Sequence, residues 1–436
     1  MTILKIIEAD SRRGRRYRQQ LESRGAGVLD SKLLGRVDKL IQRVQSRGDR
    51  ALLQAVRKFD GVAVSSPRGL RLSTARSSEE TLPSGFENAL ERAIAAVERY
   101  HQEQVHAGFR LEEGGITWQE HRRPLGRVGV YVPGGRAAYP STALMTVLPA
   151  QAAGVTDIAV ATPPAAWARN PALRHTLERL GVREIWGMGG AHAIAALAYG
   201  TESVQRVDKI VGPGNAWVTA AKKLVMGDVA IDSLAGPSEV VVAALGDTDP
   251  ALVAADLLAQ AEHDPQALSV LLTDQKHFAK EVARQVTRQL KDLPTAEVAR
   301  QALVNQGGAV VVSGLDEALD WIEAIAPEHL QLMGDAEALA DRVQNAGATF
   351  VGESTPVVFG DYIAGPSHVL PTAGTARYAS ALGVEDFVRR SHVVRYSQSA
   401  AARTATAAAT LADVEGLPAH AEAARRRGRP EREAEV

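Results

Sequence analysis

The sequence predicts an α/β protein built of two tandem Rossmann-like α/β/α sandwich domains with small helical N- and C-terminal extensions. Short β-rich runs alternate with helical stretches from Arg127 to about Val211, and a second alternation runs from Glu239 to Gly352. Strand–helix alternation implies parallel sheets covered by helices, because a parallel strand pair needs a crossover long enough to hold one. Outside these two blocks the apolar residues recur mainly at helical spacing.

Up to about Arg123 the chain reads as helical, with Ser31–Ser46 and Gly85–Gln104 carrying apolar residues at helical spacing and charges between them. Val128–Val132 then reads as a strand, Pro133–Ser141 as a Gly/Pro loop and Thr142–Ala153 as a helix. Asp157–Thr162, Glu184–Met188 and Lys209–Val211 read as strands, each followed by a helix. In the second block, strands are expected at Glu239–Ala244, Leu268–Thr273, Ala309–Ser313, Leu330–Met333 and Thr349–Gly352. The intervening helices are expected at Pro250–His263, across Phe278–Asn305, at Asp316–Ile325 and at Ala336–Ala346. After Pro371 the pattern returns to helices, with an Ala-rich stretch at Ala400–Ala412 and a charged tail from Arg425 that should fray. The expected organisation is a helical arm over 1–25, a discontinuous α/β domain formed by 26–130 with 239–381, a second α/β domain over 131–238, and a C-terminal helical domain over 382–436.

With 436 residues, 45% of them hydrophobic, the chain is long enough for two core-forming domains. Its formal net charge of −1 argues against nucleic acid or a membrane surface as the main partner. No uninterrupted apolar run approaches the ~20 residues needed to cross a bilayer. Arg12, Arg13, Arg15 and Arg16 have no apolar stretch behind them of the kind an export signal carries, so a cytoplasmic protein is expected. Cysteine is absent, which fits a reducing compartment. Without a thiolate there is no thioester route for oxidising an aldehyde, and a metal site must use His, Asp, Glu or amide oxygen.

Four clusters could carry chemistry. In Gln260-Ala261-Glu262-His263-Asp264-Pro265, Gln260 and His263 lie three apart at a helix end, and Pro265 stops the helix beside them. An amide oxygen and an imidazole so spaced could share one metal ion, although a capped helix end with an ordinary histidine is the commoner origin of this spacing. Pro327-Glu328-His329-Leu330 joins a helix to a strand; an acid beside an imidazole suits acid–base work, and polar dipeptides are also common in such connections. The stretch from Phe359 to Pro371 holds Asp361 and His368 among Gly360, Gly365 and Pro366, an irregular backbone of the kind that often builds a site. Finally, Glu415-Gly416-Leu417-Pro418-Ala419-His420 suits the start of a last helix, where a lone histidine is ordinarily a surface residue. No GxGxxG fingerprint follows the first strand. Gly187-Met188-Gly189-Gly190 echoes it partially, and Gly134-Gly135 and Gly212-Pro213-Gly214 are isolated turns, two of these turns leading into helix N-termini that could receive phosphate.

Read in order, RVGVYVPGGRAAYPST, GGAHAIAALAYGTESV, VDKIVGPGNAWVTAAKKLV, IDSLAGPSEV, DLLAQAEHDP, APEHL, GDYIAGPSHVLPT and EGLPAH resemble the histidinol dehydrogenase family from about Val37 to the C-terminal helix. The resemblance implies two successive NAD-dependent oxidations, of L-histidinol to its aldehyde and then to L-histidine, as the last steps of histidine biosynthesis. It implies one Zn2+ per subunit held by Gln260, His263, Asp361 and His420, the last supplied by the other subunit of a homodimer. Substrate contacts are implied for Ser238, His329, His368 and Glu415 and for the four zinc ligands. Glu328 and His329 match the family's catalytic pair: His329 as base in both oxidations, Glu328 to activate the water that hydrates the aldehyde. Tyr131, His192 and Asn215 match NAD-contacting positions. On this reading the domain over 131–238 binds NAD, the discontinuous one carries zinc and the catalytic pair, and the C-terminal one completes the partner's site. Two residues depart from the family pattern: His192 stands where Gln is usual, and Ser367 where Asn is usual.

Three other readings use the same residues. A paralogue could oxidise another small polar alcohol, although Ser238, Glu415 and His420 address the histidinol head group. A zinc hydrolase could use Glu328 to prime metal-bound water and would need no dinucleotide. A non-catalytic metal-binding protein would leave Glu328 and His329 without a purpose.

Overall fold

The computed structural model describes residues 3–25, 29–74, 81–134 and 139–428; the tip of the Gly/Pro loop and the end of the charged tail lie outside these. The chain divides into one compact unit of Met1–Gln104 with Leu125–Phe387 and a smaller one of Val105–Pro124 with Val388–Val436.

The larger unit holds two six-stranded sheets. The first is ordered Arg71–Leu72, Glu184–Gly187, Ile158–Thr162, Val128–Tyr131, Lys209–Val211, Ala230–Ile231, and all its pairings are parallel except the one made by Arg71–Leu72. The five parallel strands therefore lie in the doubly wound order 3-2-1-4-5, reversing direction between Val128–Tyr131 and Lys209–Val211. Strands such as Ile158–Thr162 are buried at every position, which is why they read as unbroken apolar runs. The second sheet runs Ile6–Glu8, Gly308–Val311, Leu268–Thr273, Glu239–Leu245, His329–Gly334, Ala348–Val351, wholly parallel. It repeats the same winding with the N-terminal strand added at one edge. Pro149 inside the helix Pro140–Ala152 and the left-handed Gly246 after Glu239–Leu245 do not interrupt this plan.

Four local expectations are corrected. The helices Ser31–Ala55 and Phe86–Gln102, expected to accompany 239–381, line the first sheet instead. Val37, Ile41, Val44 and Leu52 pack with Ile194 and Val218, while Leu90, Ile94 and Val97 pack with Leu144 and Leu148. The arm joins the second sheet, through Ile6–Glu8 and the helix Arg12–Glu22, whose N-cap Ser11 accepts the Gly14 N–H at 2.9 Å. The segment to Arg123 is not wholly helical: Arg110–Glu113 and Ile116–Pro124 form an antiparallel hairpin paired to a further strand, Val388–Tyr396. That ribbon, with the helices Gln398–Val414 and Pro418–Arg427, makes up the smaller unit, so 382–436 is not purely helical. The helix expected over Ala336–Ala346 is one short 3-10 turn, Asp335–Leu339; beyond it the Gln344 N–H is taken by Glu323 at 2.7 Å rather than by a preceding carbonyl.

Candidate active site

The acid–imidazole pair sits where the helix Leu315–Ile325 hands over to the strand His329–Gly334. Ala326 ends the helix in the left-handed region (φ 47°), and Pro327 prevents its continuation. A non-glycine residue there costs about 1 kcal/mol, and the turn it makes delivers Glu328 and His329 to the start of the strand. Both are buried. The Glu239 N–H donates to Glu328 Oε2 at 2.7 Å, and His329 Nδ1 lies 2.9 Å from the Glu239 carbonyl. A carbonyl can only accept, so this contact places the imidazole proton on Nδ1 and leaves the Nε2 lone pair available. Glu328 Oε2, at 3.6 Å from Nδ1, is too distant to compete for that proton. Nε2 faces Asp361 Oδ1 at 3.8 Å.

Burial dominates the electrostatics. It lowers the His329 pKa, an effect opposed by Asp361 and reinforced by His368 and His263. It raises the Glu328 carboxyl well above the usual range, opposed by the bond from the Glu239 N–H and reinforced by the Glu239 and Asp361 charges. His368 is lowered for the same first reason, opposed by Asp361; its Nδ1 donates to the Asp361 carbonyl at 2.9 Å. These mutual influences group His263, Asp361, His329 and His368 in one locality.

Gln260 lies buried at the end of the helix Pro250–Ala261, and its Nε2 has no hydrogen-bond partner. Beyond it Asp264 Oδ1 caps the turn by accepting the Gln266 N–H at 2.8 Å, holding His263 just past the helix. Asp361 closes in from the helix Val357–Tyr362, and the loop after it is fixed at two points. At Gly365 (φ +110°) a Cβ would come within 3.0 Å of the Ala96 carbonyl, and Ser367 Oγ donates to the Met145 carbonyl at 2.9 Å. Ser367 thus anchors the loop to the first sheet's helix.

Among the described residues no three His, Cys, Asp or Glu side chains gather closely enough to hold an ion. Of the four expected ligands only His263 and Asp361 are of those types in the larger unit; Gln260 offers an amide, and His420 belongs to the smaller unit, on Pro418–Arg427. Glu415 and His420 are both exposed. Ser238 is half-buried and precedes Glu239, its carbonyl accepting the Leu268 N–H at 3.0 Å.

Tyr131 and Asn215 flank the reversal point of the first sheet, the place where doubly wound sheets open a ligand crevice at their strand ends. Tyr131 Oη accepts the Gly190 N–H at 3.0 Å, and burial pushes its hydroxyl up to about 12, so its own proton stays available to donate. Asn215 Oδ1 caps its helix by accepting the Trp217 and Val218 N–H groups at 3.0 and 3.3 Å. His192 is buried, with Nε2 2.8 Å from Asp60 Oδ2, and the same oxygen accepts the Gly189 N–H at 3.1 Å. Behind them Lys222 Nζ donates to the Gly212 carbonyl at 3.0 Å and pairs with Asp232, which accepts the Gly212 N–H at 2.7 Å.

Asp60, Arg24 and Glu239 were missed by sequence reasoning. Asp60 stands before the left-handed Gly61, a helix-stop signal, but its partners are 129 and 132 residues away. Arg24 carries no local signal.

The larger unit thus sets Tyr131 and Asn215 at the reversal point of one doubly wound parallel sheet and a buried acid–imidazole pair on the other. The histidinol dehydrogenase family model matches residues 26–428. Histidinol dehydrogenase of Synechococcus sp. is 46% identical over 396 residues, 90% of this chain and 91% of that one. That of Methanothermobacter thermautotrophicus is 44% identical over 428 residues, 98% and 99% of the two chains. The crystal structure of histidinol dehydrogenase from Elizabethkingia anophelis superposes with a TM-score of 0.88 at 31% identity, covering 98% of each chain. The chain belongs to the histidinol dehydrogenase family.

Proposed function

We propose that the protein is an NAD-dependent histidinol dehydrogenase, taking L-histidinol through the aldehyde to L-histidine at the end of histidine biosynthesis. The reading rests on family membership, and on one observation above all: His329 has its proton fixed on Nδ1 by the Glu239 carbonyl, leaving Nε2 as a base. Hydride can leave an alcohol carbon only as the O–H proton is removed, and burial keeps this imidazole neutral at neutral pH. His329 Nε2 takes that proton in the first oxidation, and again from the aldehyde hydrate in the second. A raised carboxyl, once ionised, is a stronger base than an exposed one, which suits Glu328 to draw a proton from the hydrating water. The cysteine-free chain agrees with a hydrate rather than a thioester route.

The residues fit both groups the family implies. Gln260 presents a buried amide three residues from His263, and its carbonyl oxygen, the His263 imidazole and the Asp361 carboxylate are N and O donors of the kind zinc accepts. Gln260, His263 and Asp361, with His420 from the partner of a homodimer, would hold the ion and anchor the substrate's imidazole and amine. Leu411, Val414 and Leu417, exposed around Glu415 and His420 in the single chain, support burial of this segment against a second copy. Tyr131 and Asn215, with a hydroxyl proton and an amide N–H2 to spare, would position NAD, whose nicotinamide supplies the hydride acceptor; His192 sits beside them in the region 131–238. Ser238, His368 and Glu415 complete the substrate's contacts. Among the described residues no helix is long and apolar enough to cross a membrane.

The deciding experiment is an NAD-reduction assay with L-histidinol in which NADH formed is counted against alcohol consumed. About two per alcohol is expected, since each oxidation delivers one hydride. No NADH, or faster turnover of another amino alcohol, would overturn the substrate.

A further inference from the structure

Glu239 opens the strand Glu239–Leu245, and both its backbone polar groups serve the acid–imidazole pair: the N–H holds Glu328 and the carbonyl holds His329. At the first residue of a strand these groups lie at the limit of the ladder that would otherwise orient them. The side chain supplies the missing anchor. The Glu239 carboxylate, 4% exposed, receives a two-pronged grip from Arg24, with Nε to Oε1 at 2.5 Å and Nη2 to Oε2 at 2.6 Å. The Ala373 N–H adds a bond to Oε1 at 3.1 Å.

Arg24 spends its other donors on the opposite side of the pair. Nη1 donates to the Leu21 and Ile325 carbonyls at 2.6 and 2.8 Å, and Nη2 reaches the Ala326 carbonyl at 3.4 Å. Ile325 is the last residue of its helix, and Ala326 is the left-handed turn that delivers Glu328 and His329. One guanidinium from the N-terminal arm therefore ties together the strand start that hydrogen-bonds the pair and the helix end that carries it. Arginine's planar fork makes this possible; a lysine would offer one point charge.

We infer that Arg24 and Glu239 are positioning residues of the oxidation, fixing through the Glu239 backbone the orientation of Glu328 and His329. The inference rests on the reading of those two residues as the catalytic pair. A purely structural ion pair would also be buried, but it would affect how much enzyme folds rather than how fast the folded enzyme turns over.

The test compares full-length Arg24→Met, Arg24→Lys, the double variant Arg24→Met/Glu239→Gln, and His329→Asn. For each, kcat, KM for L-histidinol and NAD, and Tm are measured. Arg24→Met strands a buried carboxylate and should lower Tm; adding Glu239→Gln removes that charge and should restore it. Positioning predicts that kcat falls about tenfold or more in Arg24→Met, with both KM values within about twofold, and stays low in the double variant although Tm has returned. Arg24→Lys should recover part of kcat. Wild-type kcat in Arg24→Met, or recovery of kcat together with Tm in the double variant, would overturn the inference. His329→Asn at wild-type kcat would instead overturn the assignment of the pair, a result separable from the other three.

Discussion

The half-buried Asp60 and the buried His192 form a pair at the N-terminus of the helix Gly190–Tyr199, 2.8 Å from Oδ2 to Nε2, and the same carboxylate oxygen takes the Gly189 N–H. One acid thus orients both the ring and the turn on the proposed cofactor side. Asp60→Ala releases both. A bond to a charged group is worth roughly 1.5–3 kcal/mol, so KM for NAD should rise about tenfold or more while kcat at saturating NAD changes little. Steady-state kinetics with varied NAD decide it; an equal fall of kcat at saturation would remove Asp60 from this role.

If His329 acts as the neutral base, then, because burial lowers its pKa below the ordinary 6.5, the acidic limb of kcat/KM is expected below that value. Activity should climb as pH rises through the lowered pKa and level off above it. Stability has a matching sign. The unfolded chain takes up this proton near 6.5 and the native one only lower, so this group costs stability as pH falls below about 6.5 and nothing above. A pH–rate profile with its limb well above 6.5 would contradict the assignment.

Glu328 runs the other way. Its folded pKa is raised, so the native state keeps a proton that the unfolded chain releases from about 4.5 upward, and stability drains away as pH rises through that interval. Glu328→Gln escapes this loss. Its Tm should exceed that of the wild type at pH 8 and match it near pH 4, while its product shifts toward the aldehyde, with fewer than two NADH per alcohol. Thermal melts at the two pH values, with product analysis, check both halves.

Treatment with a chelator should abolish activity, and added Zn2+ should restore it. Loss of even an outer-shell partner commonly costs a metal site tenfold, so Gln260→Ala should need at least about ten times more zinc for half-restoration. Activity indifferent to chelation would sink the ligand assignment.

If His420 completes the partner's site, His420→Asn and His329→Asn are each inactive, yet a mixed dimer contains one intact site. Random reassociation should then recover about a quarter of wild-type activity, since half the dimers are mixed and one of their two sites works. No recovery on mixing would place His420 elsewhere.

The parallel strands were legible because burial on both faces leaves unbroken apolar runs, as in Leu268–Thr273, found where expected. The ribbon was not legible. Ile116–Pro124 and Val388–Tyr396 carry charges on half-exposed surfaces, so neither apolar runs nor clean alternation mark them. The side of the molecule to which Ser31–Ala55 attaches was equally hidden, because its apolar stripe fits either sheet and only the partners Ile194 and Val218 decide. At the site, His329 could be found beside Glu328 in the chain. Its proton position, however, depends on the Glu239 carbonyl 90 residues away, and a carbonyl has no letter in a sequence.

On the first sheet, Tyr131 takes the Gly190 N–H and Asp60 the Gly189 N–H at the start of one helix, and Asn215 takes the Trp217 and Val218 N–H groups at the start of another. An anion arriving at either of these two helix starts must compete with internal acceptors for those donors. If NAD docks there as proposed, that competition loosens its hold, an asset for a catalyst that has to swap one spent nucleotide for a fresh one before letting go of a half-oxidised guest.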